Sequence, residues 1–183
     1  MKSNWKYRLI NTLRLSWLRG YLAMQLAKLI SVAGVLAAYS QLTAVKIHRD
    51  GHREYLGVLG RRVVTTAFVD FVVDQLQTET AVFGDFKYHD SGVGITGELI
   101  GDTGIETTDG ESRATGTQTE SAANAYRSVA TISYTTTKAI TEHGLFNDVT
   151  AGTLMDRTVF AALNVVNGDA IQFTYTLTLT AGS

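Results

Sequence analysis

The chain of 183 residues has no cysteine and no proline. Without cysteine there is no disulfide, no thiolate metal ligand and no thiol nucleophile. Stability must come from burial, hydrogen bonding or assembly. Acid is missing from the first part of the chain, where the first acidic residue is Asp50. Residues 1–62 carry eleven Lys/Arg against two acids, Asp50 and Glu54, whereas residues 63–183 carry five Lys/Arg against fifteen acids. The overall charge of −1 therefore conceals a division between roughly +9 and −10. A segment so basic seeks a negative partner: nucleic acid, anionic lipid or an acidic protein surface. A long hydrophobic run is also lacking. The apolar stretch Leu29–Ala38 is far shorter than the ~20 residues needed to cross a bilayer. It has the outline of a secretory signal with Ala38-Tyr39-Ser40 as a cleavage site. The long basic region before it, with Trp5, Leu9, Leu13 and Trp17 among its charges, favours a helix docked on a partner, with no membrane contact expected.

What is present suits one ordinary domain plus an extension. Leu9, Leu13, Trp17, Tyr21 and Met24 recur at spacings of three and four, with Lys6, Arg14 and Lys28 between them, which predicts a helix over residues 5–38. The natural boundary falls near residue 40, giving a basic helical arm (1–40) and a β-rich body (41–183). Glycine and threonine are plentiful in the second half, and threonine's branched Cβ suits a pleated surface. Residues 42–48 and 53–59 read as a hairpin around Asp50-Gly51. Residues 63–77 read as a helix capped by Thr65 or Thr66, with Phe68, Val69, Val72, Val73 and Leu76 on one face. Phe83–His89 reads as a strand. Residues 90–125, rich in Gly, Thr, Ser, Asp and Glu, read as a long loop or a set of short strands. Tyr126–Thr137, Ala139–Phe146, Thr153–Ala161 and Ala170–Thr180 are further strands. In the last, Ile171, Phe173, Tyr175, Leu177 and Leu179 share one face, and Asn167-Gly168-Asp169 supplies the turn before it. The expected fold class is mainly β: an antiparallel sandwich or jelly-roll-like body, with the helical arm and one further short helix.

Several strings carry residue types used in chemistry. Gly92-Val93-Gly94-Ile95-Thr96-Gly97 matches G-x-G-x-x-G, which binds dinucleotides only when a helix follows it. Gly101 and Gly104 argue against such a helix, so a glycine-rich β turn is expected. His48 and His52 flank the hairpin turn, yet zinc wants three or four convergent ligands, and exposed turn histidines are the expectation. His89-Asp90-Ser91 has the residue types of a hydrolase triad, but adjacency in sequence is not triad geometry. Asp85, Asp90, Glu98, Asp102, Glu106, Asp109, Glu111 and Glu120 form an acidic series. Paired carboxylates can hydrolyse sugars or bind calcium, but this spacing fits no EF-hand, and a solvated or interface-facing loop is expected. Asp156 and Arg157 suggest an edge ion pair, while Leu145, Phe146, Val159, Phe160 and Leu163 suggest core. No catalytic residue, cofactor or metal is expected. The residues expected to bind a partner lie in the arm: Trp5, Lys6, Arg8, Leu13, Arg14, Trp17, Arg19 and Tyr21. Aromatic and Arg side chains are the usual anchors of protein interfaces. They could also stack on bases and contact phosphates, but the acidic body makes nucleic acid an improbable partner.

Two stretches, Leu59–Gly97 (LGRRVVTTAFVDFVVDQLQTETAVFGDFKYHDSGVGITG) and Ala139–Gly182 (AITEHGLFNDVTAGTLMDRTVFAALNVVNGDAIQFTYTLTLTAG), bracket Arg113-Ala114-Thr115-Gly116-Thr117. Together they cover about residues 57–182. In this pattern the chain resembles a widespread group of small structural proteins of tailed bacteriophages and prophages. The resemblance implies a non-enzymatic virion protein. The favoured place is the capsid surface, as a decoration or cement protein bound to the major capsid protein and to copies of itself, as a trimer or another repeated unit. Tail, neck or fibre components have similar β modules and form the first alternative. A host-glycan-binding module using the acidic loop is the second.

Overall fold

Alternation of apolar and polar residues builds most of the molecule. In the computed structural model, residues 37–61, 64–76 and 85–180 are described. Nine strands and one helix occur among them: β1 (Ala37–Ile47), β2 (Arg53–Gly60), α1 (Thr66–Leu76), β3 (Tyr88–Gly92), β4 (Ala114–Thr115), β5 (Thr117–Ala122), β6 (Ala125–Ser133), β7 (Lys138–Phe146), β8 (Leu154–Val165) and β9 (Ala170–Thr180). They form a five-stranded sheet in the order β2–β1–β9–β6–β5 and a four-stranded sheet in the order β4–β3–β7–β8. Both sheets are antiparallel, as expected of a β-sandwich. Residues Ala38–Thr178 make up one compact unit. Among the described residues no helix is long and apolar enough to cross a membrane.

The terminal strand shows how the core arises. In β9, Ile171, Phe173, Tyr175 and Leu177 are buried while the threonines between them are only half-buried. Across the ladder to β6, Ile171 faces Ile132, Phe173 faces Ala130, and Tyr175 faces Ser128. Such cross-strand pairs fix the register, because a slip of one residue would turn the whole apolar set outward. Leu42 and Ala44 of β1 join them, and Ile140, Leu145, Met155 and Val165 close the core from the four-stranded sheet. Phe160 and Leu163 pack at its edge.

The turns follow their residues. Gly51 donates to the His48 carbonyl at 2.7 Å, and the Asp50 carboxylate accepts from the His52 N–H at 2.9 Å, which closes the β1–β2 hairpin. Asp169 binds the Val166 and Arg49 backbone N–H groups at 3.1 and 3.0 Å, at the turn from one sheet to the other before β9.

Some boundaries differ from expectation. β1 reaches back to Ala37, so the last residues assigned to the arm are strand; Ser40, Leu42 and Ala44 alternate into the core and extend the pairing. Of the expected strand Phe83–His89, Phe83 and Gly84 lie outside the described residues, residues 85–87 are irregular and β3 begins at Tyr88; the Gly/Thr-rich stretch holds β4 and β5. The helix is capped by Thr65, whose hydroxyl accepts from the Phe68 N–H at 3.2 Å. Its buried side is also rotated. Phe68, Phe71 and Val72 turn to the core, whereas Val69, Val73 and Leu76 are exposed.

Candidate functional site: a buried ion network under the acidic loop

β7 is buried on both faces. From Ile140 to Phe146 every residue is enclosed. One face looks into the sandwich. The other is covered by the acidic segment that follows β3, and the glue is charge. Glu142 is fully buried, and Arg157 of β8 donates to its Oε2 from Nε at 2.8 Å. Glu142 Oε2 also accepts from the Glu106 N–H at 2.9 Å, while Oε1 accepts from the N–H groups of Gly94 at 2.8 Å and Thr107 at 2.9 Å. The remaining nitrogens of Arg157 reach Asp102 at 3.0 Å and Glu106 at 3.2 Å. Burial works against the Arg157 charge, but hydrogen bonds to Glu142 and Asp102 more than offset it, and its pKa stands above the ordinary value. Glu106 is held below the usual carboxylate range by the hydroxyl and N–H of Thr96.

The arrangement explains the glycine string. A Cβ on Gly92 would lie 2.5 Å from Glu142 Oε1, and one on Gly94 would lie 2.6 Å from Glu106 Cβ. Backbone must come this close for its N–H groups to reach the carboxylate. Gly92 and Gly94 thus serve a protein carboxylate, with no helix following them. The Thr141 hydroxyl completes the clasp by donating to the Gly94 carbonyl at 2.7 Å.

His89, Asp90 and Ser91 alternate along β3, so they part company. Asp90 accepts from Arg113 Nε at 2.9 Å. Burial raises the Asp90 carboxyl, and Arg113 draws it partly back. The Arg113 guanidinium lies 3.5 Å from the centre of the Phe146 ring and also donates to the carbonyls of Asp148 and Ala151. Ser91 turns the other way, donating to Asp109 at 2.5 Å and lying 3.2 Å from the Tyr134 hydroxyl. His89 also points inward. Its Nδ1 lies 2.9 Å from His143 Nε2, and its Nε2 lies 2.8 Å from Ser128 Oγ on the opposite sheet. Burial depresses His89 to about 3, and His143 falls well below its ordinary value from burial first and then the charge of its neighbour. Both rings are neutral near pH 7. His143 Nδ1 has no hydrogen-bond partner among the described residues. The cheaper tautomer has His143 Nε2–H donating to His89 Nδ1 and His89 Nε2–H donating to Ser128, because it leaves an acceptor unpaired and not a donor.

The expectation of exposed turn histidines holds for His52, whereas His48 is half-buried 3.2 Å from Glu54, and His89 and His143 are core residues. The expected edge pair of Asp156 with Arg157 is also corrected. Adjacent residues of a strand point to opposite faces. Asp156 accepts from Ser40 of the other sheet at 2.7 Å and from Thr158 at 2.9 Å, while Arg157 joins Glu142.

Of the acidic series, Asp90, Asp102, Asp109 and Glu106 are spent on internal partners, and Glu111 accepts from Lys138 at 2.6 Å and from Thr135. The Lys138 bond, then the Thr135 N–H, hold Glu111 down at about 2. Glu120 is exposed on β5. No group of three or more His, Asp or Glu placed to hold a metal ion occurs among the described residues. Glu142 accepts four donors, two on each oxygen, so it has no lone pair left for a substrate proton. The network acts as an anchor for the loop. Sequence reasoning passed over Glu142 and Arg157 as partners of each other; the signal was charge set among apolar neighbours, Glu142 between Ile140 and Leu145 and Arg157 between Met155 and Val159. The arm residues Trp5, Lys6, Arg8, Leu13, Arg14, Trp17, Arg19 and Tyr21 lie outside the described residues. No protein-family model, no curated protein and no solved structure matches the chain.

Proposed function

We propose that this chain is a structural protein of a bacteriophage particle, most specifically a decoration or cement protein that binds neighbouring capsid subunits. One observation carries the reading. A sandwich whose buried acids and histidines are taken up by internal partners follows a 36-residue stretch with six Lys/Arg and no acid. The body has the character of a rigid support, and recognition falls to the arm. The resemblance of residues 57–182 to tailed-phage structural proteins points the same way. Binding is by burial and charge complementarity, with Trp5, Trp17 and Tyr21 as anchors and Lys6, Arg8, Arg14 and Arg19 meeting acidic surface. A specific interface of this kind buries roughly 1,200–2,000 Å².

The test is a reconstruction of purified particles, together with the copy number of this chain. Hundreds of copies on the shell, with density for the arm against a capsid subunit or a neighbouring copy, is the expected result. A few copies would move the protein to the tail or neck. Absence from particles would end the virion reading altogether.

A further inference from the structure

The rotated helix leaves an apolar strip in view. Val69, Val73 and Leu76 lie at spacings of four and three along α1, and all three are exposed, Leu76 by 80%. The acidic loop adjoins the start of the helix, where the Thr66 N–H donates to the Ile100 carbonyl at 2.8 Å. There Ile95, Leu99 and Ile100 are exposed by 79%, 69% and 62%. A run of large apolar side chains on two adjoining elements marks a contact surface more than scattered surface residues do. Its surroundings are acidic. α1 carries Asp70 and Asp74, both exposed, and no Lys or Arg; the loop adds Glu98. The rigid base of the loop, tied to Glu142, holds Ile95 and Leu99 in place for contact.

The same chain contains the complementary chemistry. Residues 5–28 place Leu9, Leu13, Trp17, Tyr21 and Met24 at helical spacing among Lys6, Arg8, Arg14, Arg19 and Lys28, with no acid. Apolar stripe matches apolar strip, and basic flank matches acidic flank. We propose that the strip of Val69, Val73, Leu76, Ile95, Leu99 and Ile100 receives the basic N-terminal segment, residues 5–28, of a second copy of this chain. The contact is heterologous: each copy gives an arm and takes one, so a closing rotation yields a ring and an open one a chain. It rests on the proposed function in taking the arm as the binding element, and it names the surface that the arm of a neighbouring copy meets.

The test uses the full-length chain in sedimentation velocity over a concentration series, without particles. The expected result is self-association that weakens as salt rises. Val73→Asp with Leu76→Asp blocks the strip, and Leu13→Ala with Trp17→Ala blocks the arm. Each pair of changes should weaken association by about tenfold or more. Mixing the two variants should restore a one-to-one dimer, because one intact arm then meets one intact strip. Asp70→Lys, which leaves the apolar strip untouched, should also weaken association and is read alone if the double-Asp variant melts early. A chain that stays monomeric overturns the proposal. So do variants that associate as tightly as the parent, or a mixture that restores nothing. A monomer that still decorates particles would refute this inference alone, whereas a self-associating chain absent from particles would refute the virion role alone.

Discussion

Glu142 is the residue on which the covering loop turns. Its carboxylate holds three backbone N–H groups and one guanidinium with no exposure to water. Removing it leaves three buried N–H groups without an acceptor and takes from Arg157 one of its three carboxylate partners, with Asp102 and Glu106 remaining, at a combined cost of about 3–5 kcal/mol. Glu142→Ala should therefore lower the unfolding free energy by about that much in urea titration. A loss below about 1 kcal/mol would show that water already screens Arg157. The glycines give a sharper contrast. Gly94→Ala would press a methyl against Glu142 and Glu106 and should cost about 1–3 kcal/mol by the same measurement. Gly97→Ala and Gly101→Ala meet nothing within 4 Å and should stay within about 0.5 kcal/mol of the parent. Equal effects at all three positions would contradict the clasp. That no helix follows Gly92 and Gly94 was legible from the glycines downstream, but the expected turn is not formed: Gly92 ends β3 and Gly94 lies in irregular chain. What they approach was not legible, because Glu142 lies 48 residues from Gly94 and no local pattern joins them.

At the scale of elements, legibility followed periodicity. β9 and the β1–β2 hairpin are readable because apolar alternation and an Asp-Gly turn act within a few residues. α1 is readable as a helix but not in its rotation. Phe68, Val69, Val72, Val73 and Leu76 share one face, but Phe71 on the far side of Phe68 draws the buried side toward itself, and the neighbour decides which side is covered. That neighbour is Phe86. Its ring meets those of Phe68 and Phe71 edge-on, each at 5.1 Å. Aromatic contacts of this geometry add about 0.5–1.5 kcal/mol each beyond burial. Phe86→Ala should therefore loosen α1 first. Hydrogen exchange should quicken across Thr66–Leu76 by more than tenfold while the β6–β9 ladder keeps its protection. Uniform quickening through both sheets would mean that the helix is integral to the sandwich. β7 was legible as a strand, but its double burial was not, since a loop some forty residues upstream in the chain covers its second face.

The whole sandwich is sensitive to acid in a way that follows from its buried histidines. Polar bridges cross between its sheets at Ser40–Asp156 and at Ser128–His89, with His143 bonded to His89 in turn. His89 is held at about 3 and His143 well below its ordinary value, both by burial, whereas both titrate near 6.5 in an unfolded chain. As pH falls below about 6.5, the unfolded chain takes up two protons that the folded one refuses. Stability is full above that pH and declines as pH drops toward 3. Glu111 acts in the same direction lower down. Its folded value of about 2 stabilises the fold above the ordinary carboxylate range, and this contribution fades as pH falls from about 4.5 toward 2. Asp90, raised by burial, opposes them with a single group. Domains of this size hold only about 5–15 kcal/mol in reserve, so proton uptake by the two histidines of the unfolded chain weighs appreciably against the fold as pH falls below about 6.5. Melting temperatures recorded from pH 7.5 downward should fall steadily once pH passes 6.5. His143→Gln removes one titrating group and should roughly halve the slope between pH 6 and 5, even if its melting temperature at pH 7.5 is lower. A melting curve that stays level from pH 6.5 to 5 would require both rings to take up their protons in the folded core as readily as in the unfolded chain.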